Sequence, residues 1–343
     1  MILKNVLSLC EQYGFLLKKP TLSKHYIAPA GTLLLENLKH EWLQSMVNYK
    51  DYSIYYSNNN FTDSYEYVKR TSLEKLPFGF ATIREEENNN AIFTLGETIN
   101  DKHHLNTWVF IPPTNSVHAF HQWQRQRRMW WRKFSATPGR YFTTDIIMEE
   151  GSQKIEICAK YPWGNELVEV LRLTENHPLL TSQQLQNLHE RKKVSALTLS
   201  SEIHLGTMYL NTICDAYEIL KLQDGERHLL KFHRKLAPYK VGFSLSHPQN
   251  GQLYEDLKDL TKYLCKKLRG NNVVSLMLPN FARATLETQF KNFDHLGVPY
   301  TIVLGENTLK NGILYLRSRD TTIKEQVHVT ELPNYIGLLF RNY

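Results

Sequence analysis

From Tyr239 onward the chain alternates between strand-like and helix-like segments with a regularity that few folds satisfy. YKVGFSLS reads as a strand, residues 252–269 as a helix, NVVSLML as a strand, FARATLETQFKNFDHLG as a helix and VPYTIVL as a third strand. Such alternation leads to a parallel or mixed sheet covered by helices. Asn311-Gly312 then marks a tight turn before ILYLRSR, because both residue types accept positive φ. On the first of these helices, Leu253, Leu257, Leu260, Leu264 and Leu268 share one face. Lys258, Lys262, Lys266 and Arg269 line the other, diluted by Glu255 and Asp259, which can pair locally with the lysines.

A chain of 343 residues suggests two or three domains. The net charge of +7 is unevenly spread: residues 231–343 hold 16 Lys+Arg against 9 Asp+Glu, while residues 1–230 hold 25 of each. A basic domain attached to a neutral one points to a polyanion or an acidic protein as partner, with a solubility surface as the plain alternative. The polar segment QDGERHLLKFHRKLAP, residues 223–238, lies between the two regions and is the natural boundary, giving domains 1–230 and 231–343.

The first 230 residues are less regular. LPFGFATI (76–83), LNTWVFIPP (105–113), KIEICAKYPW (154–163) and VSALTLS (194–200) read as strands, with helices near 33–47, 116–135, 164–173 and 205–220. Strands separated by long, varied insertions predict a mostly antiparallel sheet in an α+β domain. The asparagine triplets 58–60 and 88–90 read as loop. Within helix 116–135, Phe120, Trp123, Trp130, Trp131 and Phe134 share one arc, and Arg125, Arg128 and Arg132 share the opposite one. The aromatics belong in a core. The arginine ridge is either a solvated face or a contact for phosphate or an acidic partner. Arg127 falls inside the aromatic arc, so a carboxylate or a stacked ring is expected to receive it.

The familiar signatures of chemistry are missing. There is no GxxxxGK[ST], GxGxxG, HExxH or GxSxG. Glu85-Glu86-Glu87, Glu149-Glu150 and His103-His104 lie beside loops or strand edges without a ligand pair at metal spacing. The four cysteines, Cys10, Cys158, Cys214 and Cys265, form no CxxC and suggest neither a zinc cluster nor a disulfide framework. No apolar run approaches the ~20 residues that cross a bilayer, so the chain reads as soluble. Its N-terminal segment lacks the arginines of a good organelle presequence.

KLPFGFATI (75–83), RMWWRKFSATP, YPWGNELVEVL, KLAPYKVGFSL (235–245) and TLKNGILYLRSRDTTIKEQVHV, taken in order, resemble the accessory (beta) subunits of mitochondrial DNA polymerase gamma. That family is itself similar to class IIa aminoacyl-tRNA synthetases of the glycyl type. The resemblance implies an α+β chain with an antiparallel-sheet, class II synthetase-like N-terminal domain and an anticodon-binding-like α/β C-terminal domain with a mixed sheet. It implies no cofactor, no metal and no catalysis: a processivity subunit that binds the catalytic subunit of polymerase gamma and primer-template or double-stranded DNA without sequence preference, in the mitochondrial matrix nucleoid and not at a membrane.

A class II synthetase holds ATP with an arginine in an RxE motif and a second arginine opening the helix of its last motif. Here Arg84-Glu85-Glu86 mimics RxE but stands too close to Pro77-Phe78-Gly79, and the second site carries Leu205-Gly206. Gly312, Arg317 and Arg319 fall in the closest-matching segment and are expected nearest the polymerase dock; a turn glycine and an internal Arg319-Asp320 pair are the competing reading. For DNA the candidates are Arg227, Lys231, Arg234 and Lys235 near the boundary, with Arg125, Arg128 and Arg132 as a second patch. Vertebrate members dimerise through a helical insertion, but only Asp51 to Lys75 occupies that interval, too short for a helical hairpin, which implies a monomer pairing one-to-one with the catalytic subunit. A divergent glycyl-type synthetase and a free-standing tRNA- or DNA-binding module are the alternatives.

Overall fold

The computed structural model describes residues 2–18, 25–48, 52–85, 91–92, 98–222, 225–246, 251–277 and 284–341. Glu86-Glu87 and the 88–90 triplet lie outside them, as do the first residues of FARATL. The chain divides into two compact units, one of residues 16–28 and 38–212, the other of residues 1–15, 29–37 and 213–343. Helix α2 (Pro29–Leu43) contributes residues to both.

The first unit is built on an eight-stranded sheet. Its strands are β1 (Ile54–Tyr56), β2 (Phe78–Glu85), β3 (His103–Ile111), β4 (Tyr141–Thr143), β5 (Ile147–Glu149), β6 (Ser152–Tyr161) and β7 (Gly164–Thr174). A short hairpin, β8 (Gln186–His189) and β9 (Lys192–Ser195), precedes the eighth, β10 (Leu197–His204). The order is β1-β2-β3-β10-β7-β6-β4, with β5 also on β6, and β1 is the strand that runs parallel to its neighbour. Residues 16–18, 25–27, 91–92 and 98–99 form a separate small sheet. With helices beside an antiparallel sheet, this is the expected α+β arrangement.

Two further helices pack on that sheet. Helix α3 (Phe61–Thr71) starts where the Asn60 side chain accepts from the Asp63 amide. It packs Phe61, Tyr65 and Val68 on Phe78, Phe80 and Phe110. The other is α4 (Ser116–Phe134), within a residue of the periodicity's prediction. Its Arg127 and the Ser201 of β10 meet on Glu169 of β7.

Residues 164–173, expected as helix, are instead the long strand β7, paired antiparallel with β6. The reason is a bulge. Ile157 pairs with Glu169 and Cys158 with Leu167, so Val168 is an extra residue and the strict two-residue alternation that would mark a strand is broken there.

The second unit holds α1 (Ile2–Gln12), a hairpin of β11 (Tyr217–Leu222) and β12 (Gly225–Leu230), and a five-stranded sheet of β13 (Val241–Leu245), β14 (Ser275–Leu276), β15 (Tyr300–Leu304), β16 (Ile313–Ser318) and β17 (Lys324–His328). The order is β14-β13-β15-β16-β17: β13 is parallel to β14 and β15, and the remaining pairs are antiparallel. This is the mixed sheet that the alternation implied. Helices α6 (Gly251–Gly270), α7 (Leu286–His295), α8 (Glu306–Asn311) and α9 (Leu332–Arg341) accompany it. Leu257, Leu264 and Leu268 from the leucine face join Val241, Phe243, Ile302 and Leu316 in its core. The helix expected at 205–220, α5 (Leu205–Ala216), ends four residues early because Tyr217 onward pairs as β11, and part of the segment read as a polar linker is its partner β12.

Candidate functional site

Helix α4 carries the first expected patch. Trp123, Trp130, Trp131 and Phe134 are buried, as is Arg127 at 2% exposure. Arg127 receives both of the partners its position demanded: Nε donates to Glu169 Oε1 at 2.6 Å, and the guanidinium lies 4.8 Å from the Trp130 ring centroid. Glu169 also accepts from Ser201 Oγ at 2.6 Å and, through Oε2, from Trp131 Nε1 at 2.6 Å. The helix is therefore fastened to β7 and β10 by one buried carboxylate. On its opposite side Arg125 is exposed and Arg128 half-buried. Arg132, also half-buried, donates Nη2 to the Tyr141 carbonyl at 2.9 Å, so its cation is partly spent on holding β4.

The C-terminal candidates fall into a different pattern. Gly312 follows α8 with φ of +72°, its N–H bonded to the Thr308 carbonyl at 3.0 Å. A Cβ there would collide with the His328 ring. Arg317 and Arg319 are internal, 5% and 2% exposed. Arg317 grips buried Asp294 with both Nη atoms, at 3.1 and 3.3 Å, and stacks its guanidinium 4.5 Å from the Phe290 ring. Arg227 reaches the same carboxylate at 2.7 and 2.9 Å and donates to the Arg319 carbonyl at 3.2 Å. Arg319 bonds the carbonyls of Leu230, Phe232 and Gly297 at 2.9–3.0 Å and closes on Asp320. Burial pushes its pKa down, with Asp320 opposing. The cluster knits β12, α7 and β16 together, and three candidate residues meet in it as scaffolding.

Lys231 is half-exposed, 3.5 Å from Glu218. Arg234 donates to the Leu339 carbonyl at 2.7 Å, and Lys235 is half-buried. Lys240, absent from the candidates, shapes this turn: its ammonium bonds the carbonyls of Arg234, Lys235 and Ala237 at 2.6–3.0 Å. Asp294 and Glu169 were missed as well. Neither stands in a motif, and Glu169 carried no signal once its segment read as helix. Tyr13, after α1, is tied in by His295 Nδ1 at 2.6 Å and Asn292 at 3.3 Å. Burial takes His295 down to about 4.

Arg84, next to the end of β2, lies opposite His104 in the sheet, with burial lowering its pKa. His104 faces Glu202 at 3.5 Å. Leu205, which opens α5, is fully buried. The four cysteines are buried and free, and the described residues contain no group of three or more His, Cys, Asp or Glu side chains placed to hold a metal ion. No described helix is long and apolar enough to cross a membrane.

Residues 246–337 match the profile of the anticodon binding domain family. Over 356 aligned residues, covering 97% of this chain and 71% of the relative, the chain is 30% identical to the mitochondrial DNA polymerase subunit gamma-2 of Xenopus laevis. It is 28% identical to the DNA polymerase subunit gamma-2 of Mus musculus, covering 76% of this chain and 60% of that one. It is also 24% identical to the glycine--tRNA ligase of Chlorobaculum tepidum over 79% of this chain and 58% of the ligase.

Proposed function

The chain belongs to the DNA polymerase subunit gamma-2 family, and we propose that it is the non-catalytic partner of a mitochondrial replicative polymerase, binding the catalytic subunit and strengthening its hold on primer-template DNA. The observation that carries this reading is the match over 97% of the chain to the frog polymerase subunit. The mitochondrial name of the frog relative supports the same compartment here, and in this reading the chain works in the matrix nucleoid. Leu205 supports the absence of synthetase chemistry: a buried isobutyl group stands where a guanidinium would meet triphosphate, and it offers phosphate nothing.

In this reading residues 1–230 are the synthetase-like part and residues 231–343 the basic, anticodon-binding-like part that docks the polymerase. Gly312 and the Arg317 and Arg319 scaffold shape that dock from within, since both cations are committed to internal partners. Arg227 belongs with them, spent on Asp294. DNA phosphates are left to the more open cations: Lys231, Arg234 and Lys235 in one unit, and Arg125, Arg128 and the remaining reach of Arg132 in the other. Contacts to phosphate carry no base information, which suits a subunit that must ride any sequence. The chain acts as a monomer paired one-to-one. In place of a helical hairpin, residues 52–75 hold β1 and the single helix α3, whose apolar face is already used on the sheet.

Sedimentation of the chain alone and mixed with the catalytic subunit tests the pairing: a monomer and a one-to-one complex are expected, and a stable homodimer at low micromolar concentration contradicts it. Arg125→Glu with Arg128→Glu, sparing Arg132 because it holds Tyr141, is expected to leave the melting temperature within about 2 °C. The same pair lowers duplex affinity and reduces the slope of log affinity against log salt by roughly 2, about one for each phosphate no longer neutralised. An unchanged slope assigns the ridge to solvent.

A further inference from the structure

Hairpin β8-β9 and the cavity beside it hold residues that neither cationic patch uses. Hairpin β8-β9 turns at Glu190 and Arg191 with φ of +47° and +67°, two left-handed residues in succession with no glycine. Its base is held by α3 and by the segment after it. Lys69 Nζ bonds the carbonyls of Gln184 and Gln186 at 2.6 and 2.9 Å, and Leu188 exchanges backbone bonds with Glu74 and Leu76 at 2.7 and 3.0 Å. The turn presents Glu190 and Arg191, and β9 opens with Lys192 and Lys193, all four exposed. Arg191 on the turn and Lys192 and Lys193 on the two faces of β9 outnumber the one carboxylate there, Glu190, and leave the end of the hairpin net positive, which suits phosphate.

Beside the tip lies a half-open cavity of about 490 Å³, within the range of small-ligand sites. His118, Gln122 and Gln126, spaced one helical turn apart on α4, line it together with Trp123, Tyr52 and His189. Amides and imidazoles can pair with base edges, and the half-buried ring of Tyr52 offers stacking to any base, with Trp123 buried behind it. A duplex keeps its bases stacked and paired; a single strand has one to give.

We propose that this chain binds single-stranded nucleic acid here, with one unstacked base in the cavity and the flanking phosphates on Arg191, Lys192 and Lys193. The site is independent of the polymerase reading, and a protein segment is the rival occupant.

The test uses the full chain and fluorescent oligonucleotides of about twelve residues, a length within the site sizes of single-strand binders: oligo-dT, oligo-U and a DNA duplex, by anisotropy. Lys192→Glu with Lys193→Glu is expected to weaken both single strands about tenfold at low salt. Two cavity variants are used: Ala119→Phe, which fills the space, and Gln122→Ala with Gln126→Ala, at two exposed positions. Each is expected to weaken the single strands about tenfold while leaving duplex affinity unchanged. If the cavity variants, folded by circular dichroism, bind single strands as tightly as the parent chain, the proposal is overturned. It is also overturned if they fail to capture the catalytic subunit and keep oligonucleotide affinity, which gives the cavity to a peptide.

Discussion

Replacing Glu169 by alanine is expected to lower the melting temperature of the first unit by about 10 °C, from a loss of roughly 3–5 kcal/mol, the cost of stranding one partner of a buried ion pair. The carboxylate is essentially unexposed and serves three donors: Arg127 Nε, Ser201 Oγ and Trp131 Nε1. Its removal leaves a charged guanidinium among tryptophans, which is far costlier than losing a neutral hydrogen bond. The double variant distinguishes this from poorer packing. Arg127→Met added to Glu169→Ala should cost less than the sum of the two single changes, by more than about 1 kcal/mol, because the second change removes the stranded charge. Additive losses would mean that the pair contributes nothing as a pair.

Asp294→Asn is the matching experiment in the second unit. Two arginines converge on this buried carboxylate, with Arg319 bonded nearby. Neutralising it leaves cations to repel one another in a low-dielectric setting, and a loss of about 3–5 kcal/mol is expected. Hydrogen exchange should accelerate first in 225–230 and 313–319, the segments whose arginines Asp294 joins to α7. Arg227→Met should cost less, since Arg227 is 14% exposed and water can replace part of what it loses. An Asp294→Asn chain that melts with the parent would show that the cluster does not hold the unit together. Weakened capture of the catalytic subunit by the same variant is the expected functional consequence of a dock shaped from within.

Legibility followed periodicity. Helix α4 could be read to within a residue because five large aromatics recur at helical spacing along it, and the same periodicity singled out Arg127 as the cation needing a partner. Strands β13, β14 and β15 of the mixed sheet were legible because β-branched, aromatic and leucine runs stand between helical stretches, whereas the polar β17 gave no such signal. Strand β7 was not, because the bulge at Val168 puts its apolar residues out of step. Hairpin β11-β12 was hidden by a polar composition that reads as linker, although Asp224-Gly225 is also a hairpin signal. At the candidate site, sequence found the cations but not their commitments. Arg227, Arg317 and Arg319 look like any other arginines along the chain, and what separates them from Arg125 is a distant aspartate and a set of backbone carbonyls. Periodicity carries no information about interactions of that range.

Primer extension on a long single-stranded template, by the catalytic subunit at rising salt with and without this chain, tests the central claim most directly. Salt weakens phosphate contacts steeply, so an accessory subunit that adds affinity should lengthen the products and carry synthesis to salt concentrations where the catalytic subunit alone stalls. Products of the same length and the same salt limit with the folded chain present would contradict the account.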